Sequence, residues 1–386
     1  MRIGIDISQI VHGTGVSRYT QLLVQSLVKI DHKNHYVLFG TSLRKNKQLK
    51  HFQQDLKGYK NVEFKIFCLP PILFEFLWNR LHLLPIEKFI GDVDVFHSSD
   101  WLEPPISSDK TKKVTTIHDM VVCLFPSSLP PRIVSNQKRR MEYVKKEVDM
   151  VIANSQTTKE DIIKFLEIPE DKIVVTYLAA SQDFKPQDEG KIDEVLEKYK
   201  IKKPYILSVA TQEPRKNIQK LLDAFDKLIQ DPKSKNQNIH LVLVGKYGWG
   251  KGFRLGESGK GSGQVIWTGY VPQEDLLALY AGCRVFVYPS LYEGFGLPVL
   301  EAMAAGSPVI TSNNSSMAEI AKNAAILVDP RSESQLVRAL NLVLNLNLEN
   351  YQKMVNASLD RARFYTWPKT AKQTLKVYEE VIRSPQ

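Results

Sequence analysis

Short, continuous apolar runs alternate with longer amphipathic segments over most of this 386-residue chain. Uninterrupted apolar runs are typical of strands that are buried on both faces of a parallel sheet. Strands that alternate with helices favour doubly wound sheets, so the pattern predicts an α/β protein. The predicted strands are Arg2–Ile7, His35–Gly40, Asn61–Cys68, Asp92–His97, Lys113–Asp119, Asp149–Ala153 and Lys172–Tyr177, followed by Tyr205–Ala210, Ile239–Gly245, Gln264–Gly269, Arg284–Tyr288, Ser307–Thr311 and Ala325–Asp329.

The length of the chain predicts two domains, because single hydrophobic cores stop growing at roughly 250 to 300 residues. The charged segment Ser181–Gly190 contains Pro186 and resembles a linker. We therefore expect an N-terminal domain over residues 1–184 and a C-terminal domain over residues 185–366. A final helix within 367–386 is expected to pack back on the first domain.

Composition indicates a folded protein with an anionic partner. The formal net charge is +10, which suits nucleotides, nucleic acid or anionic lipid headgroups. Three widely spaced cysteines predict neither a disulfide framework nor a zinc site. The sequence opens on a strand with no apolar signal region, and no run reaches the length of a membrane span, so we expect a cytoplasmic location.

Two segments suggest contact with a membrane. Pro70–Ile90 carries aromatic residues and many leucines between prolines, which suits core packing, a membrane surface or a pocket for a lipid acceptor. The helix predicted over Pro131–Glu147 is rich in Lys and Arg. A solvated face and an anionic membrane both explain it.

A pair of glutamates, Glu293 and Glu301, flanks the predicted turn between one strand and the next helix. Gly294 and Gly296 suit a tight turn, and Pro298 suits the first helical position. In open α/β sheets, ligands bind at the carboxyl ends of strands, which is where Glu293 is expected. Two carboxylates could form a glycosidase pair or cap the helix. Because Glu301 lies early in the helix, it should stay ionised and accept hydrogen bonds from hydroxyl groups.

Two adjacent cations, Arg215 and Lys216, follow the predicted strand Tyr205–Ala210 and precede a helix. Cations oppose the helix dipole at this position. A diphosphate bound at the helix N-terminus would explain them, with Arg215 as a fork and Lys216 as a point charge.

Two glycine-rich segments resemble nucleotide motifs incompletely. Gly13 and Gly15 could open a dinucleotide fingerprint, but Arg18 stands where its third glycine should be. A tight turn, or a loop whose backbone approaches a ligand, explains them better. Residues Gly245–Gly252 nearly match a phosphate loop, but Gly252 replaces the Ser or Thr that holds magnesium, which disfavours a kinase or ATPase.

His118 and Asp119 end the predicted strand Lys113–Asp119. A histidine in this position can take part in catalysis or bind a polar ligand. A structural hydrogen-bonded pair explains the dipeptide nearly as well.

Taken together, these motifs resemble the retaining family-4 glycosyltransferases of the GT-B fold. The resemblance covers nearly the whole chain and includes a mannosyltransferase-like subgroup of bacterial surface-polysaccharide assembly. It depends on the Glu293-x7-Glu301 element, on Glu213–Asn217, Thr268–Tyr280, Ile117–Asp119 and Ala153–Ile162, and on the glycines at 13 and 15. It implies two Rossmann-like domains that face each other across a cleft.

The resemblance also implies roles for matching residues. Arg215 and Lys216 would hold the donor diphosphate, and Glu301 would bind the ribose hydroxyls. His118 and Gly15 would face the reaction centre. Contacts with the donor sugar would come from Glu293, Phe295, Gly296 and Leu297, and the base would lie beside Tyr270 and Val271. Many relatives carry an arginine where this chain has Ala210, and Arg215 could replace its charge.

The implied reaction moves a hexose from a nucleotide sugar to a glycan or lipid-linked acceptor. GDP-mannose is the favoured donor, and no cofactor, metal or nucleic acid is expected. Cations and a helix N-terminus can stabilise the departing diphosphate without a metal. The alternatives are a nucleotide-sugar epimerase or hydrolase of similar fold, and a non-enzymatic basic protein that binds membrane surfaces at the periphery.

Overall fold

Two separate parallel sheets organise the chain in its computed structural model, which describes residues 1–232, 235–246 and 264–383. Unit 1 comprises Met1–Leu178 and Thr366–Gln386, and unit 2 comprises Ala179–Tyr365. Each unit contains one of the sheets. The prediction of two doubly wound parallel sheets is confirmed.

In the sheet of unit 1, the strand order reverses between two central strands. Its strands are β1 (Arg2–Asp6), β2 (His35–Thr41), β3 (Val62–Phe67), β4 (Val95–Ser98), β5 (Lys112–Ile117), β6 (Met150–Ala153) and β7 (Ile173–Val175). All pairings are parallel, in the order β3-β2-β1-β4-β5-β6-β7. The strand order reverses between β1 and β4, and such a switch point opens a crevice at the carboxyl ends of the strands.

Helices connect these strands. They are α1 (Gly15–Ile30), α2 (Asn46–Asp55), α3 (Pro71–Phe74), α4 (Glu87–Ile90), α5 (Val121–Leu124), α6 (Pro131–Glu147) and α7 (Gln156–Leu166). A π-helical segment, Glu75–Arg80, continues from α3. Thr14 caps α1 and Ser155 caps α7, each by accepting a hydrogen bond from a backbone N–H in the first turn.

The apolar segment Pro70–Ile90 contributes to the core of unit 1. The side chains of Phe74, Trp78, Ile86 and Ile90 are buried and pack beside Phe39. The prediction of core packing is therefore confirmed for one side of this segment. Its other side is exposed and carries large apolar side chains.

Unit 2 repeats the plan with its own switch point. Its strands are β8 (Tyr205–Val209), β9 (His240–Val244), β10 (Val265–Gly269), β11 (Val285–Tyr288), β12 (Val309–Ser312) and β13 (Ile326–Val328). They pair in parallel in the order β10-β9-β8-β11-β12-β13, so the reversal lies between β8 and β11. The helices are α8 (Glu189–Lys198), α9 (Ile218–Gln230), α10 (Gln273–Gly282), α11 (Leu297–Ala304), α12 (Ser315–Ala321), α13 (Glu333–Leu344) and α14 (Leu348–Arg363).

The C-terminal helix α15 (Trp367–Arg383) belongs to unit 1, where it packs against α1. Its buried residues include Ala371, Val377 and Tyr378. The hydroxyl of Tyr378 lies 2.6 Å from Nδ1 of His97 at the end of β4. A buried hydrogen bond therefore joins the end of the chain to the central strands of the first sheet.

Gly245 directly follows β9, at a point where two backbones approach closely. Its φ is +149°, and a Cβ atom there would lie 2.0 Å from the carbonyl oxygen of Ala210. No other residue type fits without moving the backbone. This glycine thus has a packing role between β8 and β9, whereas most of the phosphate-loop-like segment Gly245–Gly252 lies outside the described residues.

We predict that Gly245→Ala destabilises the protein by about 1–3 kcal/mol or more, because the added methyl group overlaps the Ala210 carbonyl. The matched control is Gly190→Ala in α8, where no atom lies within 4 Å of the position that the added methyl group would take. The control should be neutral or stabilise by about 0.5–1 kcal/mol. Urea denaturation measures both, and equal midpoints for the two variants would contradict the close approach.

Candidate functional site

Glu293 lies in the loop between β11 and α11, at the carboxyl end of a central strand. Two contacts hold this loop against α12 and its N-terminal cap: the Ser316 hydroxyl donates to the Glu293 carbonyl at 2.7 Å, and Asn314 Nδ2 donates to the Leu291 carbonyl at 2.8 Å. Gly296 precedes α11 with a φ of +89°, a left-handed conformation that favours glycine. The backbone therefore fixes the position of Glu293.

The carboxylate of Glu293 is surrounded by donors. Its Oε1 atom accepts hydrogen bonds from Lys216 Nζ at 2.7 Å, the Ser290 hydroxyl at 2.6 Å and the Tyr288 hydroxyl at 3.0 Å. Its Oε2 atom lies 2.8 Å from Nη1 of Arg215. The residue is 8% exposed, so these charge-assisted contacts are largely shielded from water.

The environment of Glu293 strongly favours its ionised form. Burial would raise its pKa, but the charges of Arg215 and Lys216 and the hydrogen bonds from Lys216 and Ser290 lower it to about 2. A general acid in glycoside hydrolysis needs a raised pKa. Glu293 is therefore unsuited to the acid role of a glycosidase pair.

Arg215 and Lys216 are held by carboxylates and carbonyl groups. They lie in a single 3-10 turn, Pro214–Lys216, immediately before α9. Arg215 donates to the Tyr292 carbonyl at 2.6 Å, and its Nη2 atom lies 3.3 Å from Oε2 of Glu213. A bound anion was expected to offset two cations at a helix N-terminus. Glu213 and Glu293 provide an offset within the protein, so the two cations alone do not require a bound diphosphate, and their role in binding one stays a prediction.

The structure places the other predicted sugar and ribose contacts around the start of α11. Phe295 is buried and packs edge-on against Tyr365, with ring centroids 6.2 Å apart. Gly296 precedes the helix and Leu297 begins it. Glu301 is buried in the helix, where its Oε2 atom accepts a hydrogen bond from the Tyr280 hydroxyl at 3.1 Å.

The two residues predicted to border the base differ in exposure. The Tyr270 side chain is exposed, and the Lys246 ammonium lies 5.0 Å from the centre of its ring. Val271 is buried in the core of unit 2. A base beside Val271 would contact its backbone, whereas Tyr270 offers an aromatic face.

In unit 1, His118 lines a pocket at the carboxyl ends of β1, β4 and β5. Burial lowers the pKa of His118 to about 4, so the imidazole is neutral near neutral pH. Its ring packs edge-on against Tyr19 at 4.6 Å. Gly15 begins α1, and no atom lies within 4 Å of the Cβ position at this residue.

Four polar residues at these strand ends were not predicted from the sequence. Tyr288 and Ser290 both donate to Glu293, and Asp6 and Asp100 line the pocket beside His118. Burial raises the pKa of each of these two aspartates. All four occur at the end of a predicted strand or just after it, which is the signal that could have found them.

Three further features concern cysteines, metals and membrane spans. The cysteines Cys68, Cys123 and Cys283 are free. Within 1–232, 235–246 and 264–383, no group of three His, Cys, Asp or Glu side chains is placed to hold a metal ion. None of the helices in the described part of the chain has the length and apolar character needed to cross a membrane.

Known proteins resemble this chain in both sequence and fold. Residues 13–180 match the family model Glycosyltransferase Family 4, and residues 191–361 match Glycosyl transferases group 1. The O-antigen chain mannosyltransferase B of Escherichia coli is 34% identical over 374 residues, which cover 95% of this chain and 96% of that protein.

Solved structures show the same architecture. A glycosyltransferase from Rickettsia africae superimposes with a TM-score of 0.74 at 19% identity, covering 100% of this chain and 99% of that one. HepE of Anabaena, solved in complex with UDP-glucose, gives a TM-score of 0.66 at 16% identity, with 98% and 100% coverage.

Two doubly wound sheets, with the matched sequence models, define a glycosyltransferase of the GT-B fold. The chain belongs to the family-4 glycosyltransferases. The family resemblance seen in the sequence is confirmed.

We predict that acid weakens the folded protein partly through Glu293. Because its folded pKa of about 2 lies below its ordinary value of 4.5, the stabilisation is present above about pH 4.5 and is lost as the pH falls towards 2. A shift of this size corresponds to roughly 3 kcal/mol.

Glu293→Gln tests this prediction. Gln is uncharged and does not titrate in this range, whereas protonation of Glu293 destabilises the parent. The difference in unfolding free energy between parent and variant should therefore shrink as the pH falls from 5 to about 2.5. Denaturant unfolding across this range measures the difference. Parallel curves for the two proteins would contradict the lowered pKa.

Proposed function

We propose that this glycosyltransferase moves a hexose, with mannose favoured, from a nucleotide sugar to a hydroxyl group of a glycan or lipid-linked acceptor. The observation that carries the proposal is the Glu293 carboxylate bonded to Arg215 and Lys216 at the adjacent ends of β8 and β11. Mannose is supported by the name of the Escherichia coli relative. A nucleotide-sugar donor is supported by the UDP-glucose complex of HepE.

Negative charge builds on the nucleoside diphosphate as the anomeric C–O bond breaks, and positive charge builds on the sugar. Groups that are fixed in place before the reaction stabilise such charges most effectively. Lys216 has three N–H donors, of which the contacts with Tyr288 and Glu293 use two. We propose that the third binds a phosphate oxygen, while Glu293 and Tyr288 keep the ammonium in position.

The ionised Glu293 has a second role in this proposal. A carboxylate with a lowered pKa accepts hydrogen bonds and does not donate a proton. It can therefore fix hydroxyl groups of the transferred sugar, together with Phe295, Gly296 and Leu297. Glu301 would hold the ribose, and Tyr270 and Val271 would border the base.

From unit 1, we propose that His118 faces the reaction centre as a catalytic residue and that Gly15 contacts the donor there. The neutral imidazole can accept a hydrogen bond from a hydroxyl group, and the pocket that it lines lies at the carboxyl ends of the strands, where open α/β sheets bind ligands. Retention of configuration, independence from metal ions and a cytoplasmic location complete the proposal. Retention and metal independence follow from the family resemblance, whereas the cytoplasmic location is the expectation drawn from the sequence alone.

Donor choice and reaction class are tested with purified protein. Thermal unfolding with GDP, UDP and ADP should show a preferential shift with GDP, since a ligand at 100 times its Kd adds about 2.7 kcal/mol of stability. Transfer from GDP-mannose should require an acceptor, persist in EDTA and give a product whose anomeric configuration, read by proton NMR, matches the donor. Sugar release or epimerisation at the same rate without acceptor would overturn the transferase proposal in favour of a hydrolase or epimerase.

We predict that Lys216→Met lowers kcat/KM by about 10²–10³-fold, because a fixed charge facing the diphosphate is lost. Lys227→Met is the matched control, since Lys227 is an exposed cation on the adjacent helix α9 that pairs with Glu333. The control should retain the parental rate. Initial rates at several donor concentrations give kcat/KM for both variants. Similar values in the two variants would contradict a role for Lys216 in binding the donor.

A further inference from the structure

Large apolar side chains are exposed together in one short segment of unit 1. In the part of the chain that the structure describes, seven of the fourteen exposed large hydrophobic residues fall between residues 69 and 84. They are Leu69, Ile72, Leu73, Phe76, Leu81, Leu83 and Leu84. Single exposed apolar residues are ordinary, but a contiguous group marks an interaction surface.

The segment is apolar on two opposite sides. Phe74 and Trp78 are fully buried, whereas Ile72 is 57% exposed and Phe76 is 45% exposed on the other side. A cluster of large apolar side chains on an exposed side is normally covered by another protein or by lipid. Because the core already contains Phe74 and Trp78, the outward residues have no place in it.

Hydrogen bonds hold the segment in this orientation. Trp78 Nε1 donates to the Leu84 carbonyl at 2.9 Å, and the Leu83 N–H donates to the Leu77 carbonyl at 2.9 Å. Asn79 Nδ2 donates to the Trp101 carbonyl and to Asn136 Oδ1 of α6. The apolar side chains are therefore presented by an ordered backbone.

The basic helix α6 runs beside this segment. Arg132 pairs with Glu75 at 2.9 Å, and the His82 ring stacks on Tyr143 with centroids 3.7 Å apart. Together with the Asn79–Asn136 contact, these pairs place the helix alongside residues 75–82. Exposed cations on α6 are Arg132, Lys138, Arg139, Lys145 and Lys146, and Arg80 extends from the segment itself.

We propose that residues 69–84 and the exposed cations of α6 form a docking surface for an anionic lipid bilayer. The apolar side chains would enter the interface between headgroups and acyl chains, and the cations would contact the headgroups. Nucleic acid fits less well, since exposed leucines gain nothing from phosphates. This surface would bring the glycosyltransferase to a lipid-linked acceptor, and in that respect it depends on the proposed function.

Vesicle cosedimentation tests the apolar part without using activity. The parent should bind phosphatidylethanolamine vesicles that contain phosphatidylglycerol and bind vesicles without it weakly. Ile72→Ser with Leu83→Ser should lower the bound-to-free ratio at least about tenfold, since each residue loses apolar burial. Leu342→Ser with Leu348→Ser is the matched control, because both leucines are exposed in unit 2. The control should bind like the parent.

The charged part is tested in the same assay. Lys138→Glu with Arg139→Glu should abolish the preference for anionic vesicles, and added salt should weaken binding by the parent. Lys227→Glu with Lys353→Glu makes the same charge change in unit 2 and should keep the preference. Circular dichroism and thermal unfolding must show that all variants are folded.

Three results would overturn the proposal. The first is equal vesicle binding by the parent and the Ile72/Leu83 variant. The second is a loss of vesicle binding in the unit 2 controls that equals the loss in the unit 1 variants. The third is a parental dimer, seen by sedimentation velocity, that the Ile72/Leu83 variant dissociates, because the surface would then bind a second copy of the chain. None of these measurements requires turnover, so a failed donor or acceptor assignment remains distinguishable.

Discussion

The buried ion cluster around Glu293 determines the arrangement of the candidate donor site. Its carboxylate joins the turn after β8 to the loop after β11 through Arg215 and Lys216. Removing one member of a buried ion pair typically costs about 3–5 kcal/mol, because its partner keeps an uncompensated charge. The cluster therefore constrains two loops at once. It also holds the ammonium of Lys216 in a fixed position, and a charge that stabilises a transition state must be held in place before the reaction.

Sheet topology makes this cluster possible. Lys216 and Glu293 are 77 residues apart in sequence, yet β8 and β11 are neighbours in a parallel sheet, so their carboxyl ends lie side by side. The same rule acts in unit 1, where residues after β1, β4 and β5 line the pocket with His118. In each sheet the polar side chains gather at the point where the strand order reverses.

Much of the fold was predictable because doubly covered strands have uninterrupted apolar sequences. The boundaries were harder: β4 begins at Val95 and not at Asp92. Strand β7 is shorter than predicted, at Ile173–Val175, because its partner β6 ends at Ala153, opposite Val175. At the site, Glu293, Arg215 and Lys216 could be found individually. Their mutual bonding could not, because sequence spacing gives no distance between loops from different strands.

The distribution of charge shows why the net charge of +10 predicted an anionic partner without locating it. At the candidate donor site, Arg215 and Lys216 are matched by Glu213 and Glu293, so the four formal charges sum to zero. The exposed side of α6 carries five cations and one exposed carboxylate, Glu142, and two of the cations, Arg132 and Lys145, pair with Glu75 and Glu167. Long-range attraction depends on unpaired surface charge, whereas stabilisation of a departing diphosphate depends on fixed charges within a few ångströms. The exposed cations of α6 therefore suit long-range attraction of an anionic partner, whereas the charges at the candidate donor site are balanced within the protein.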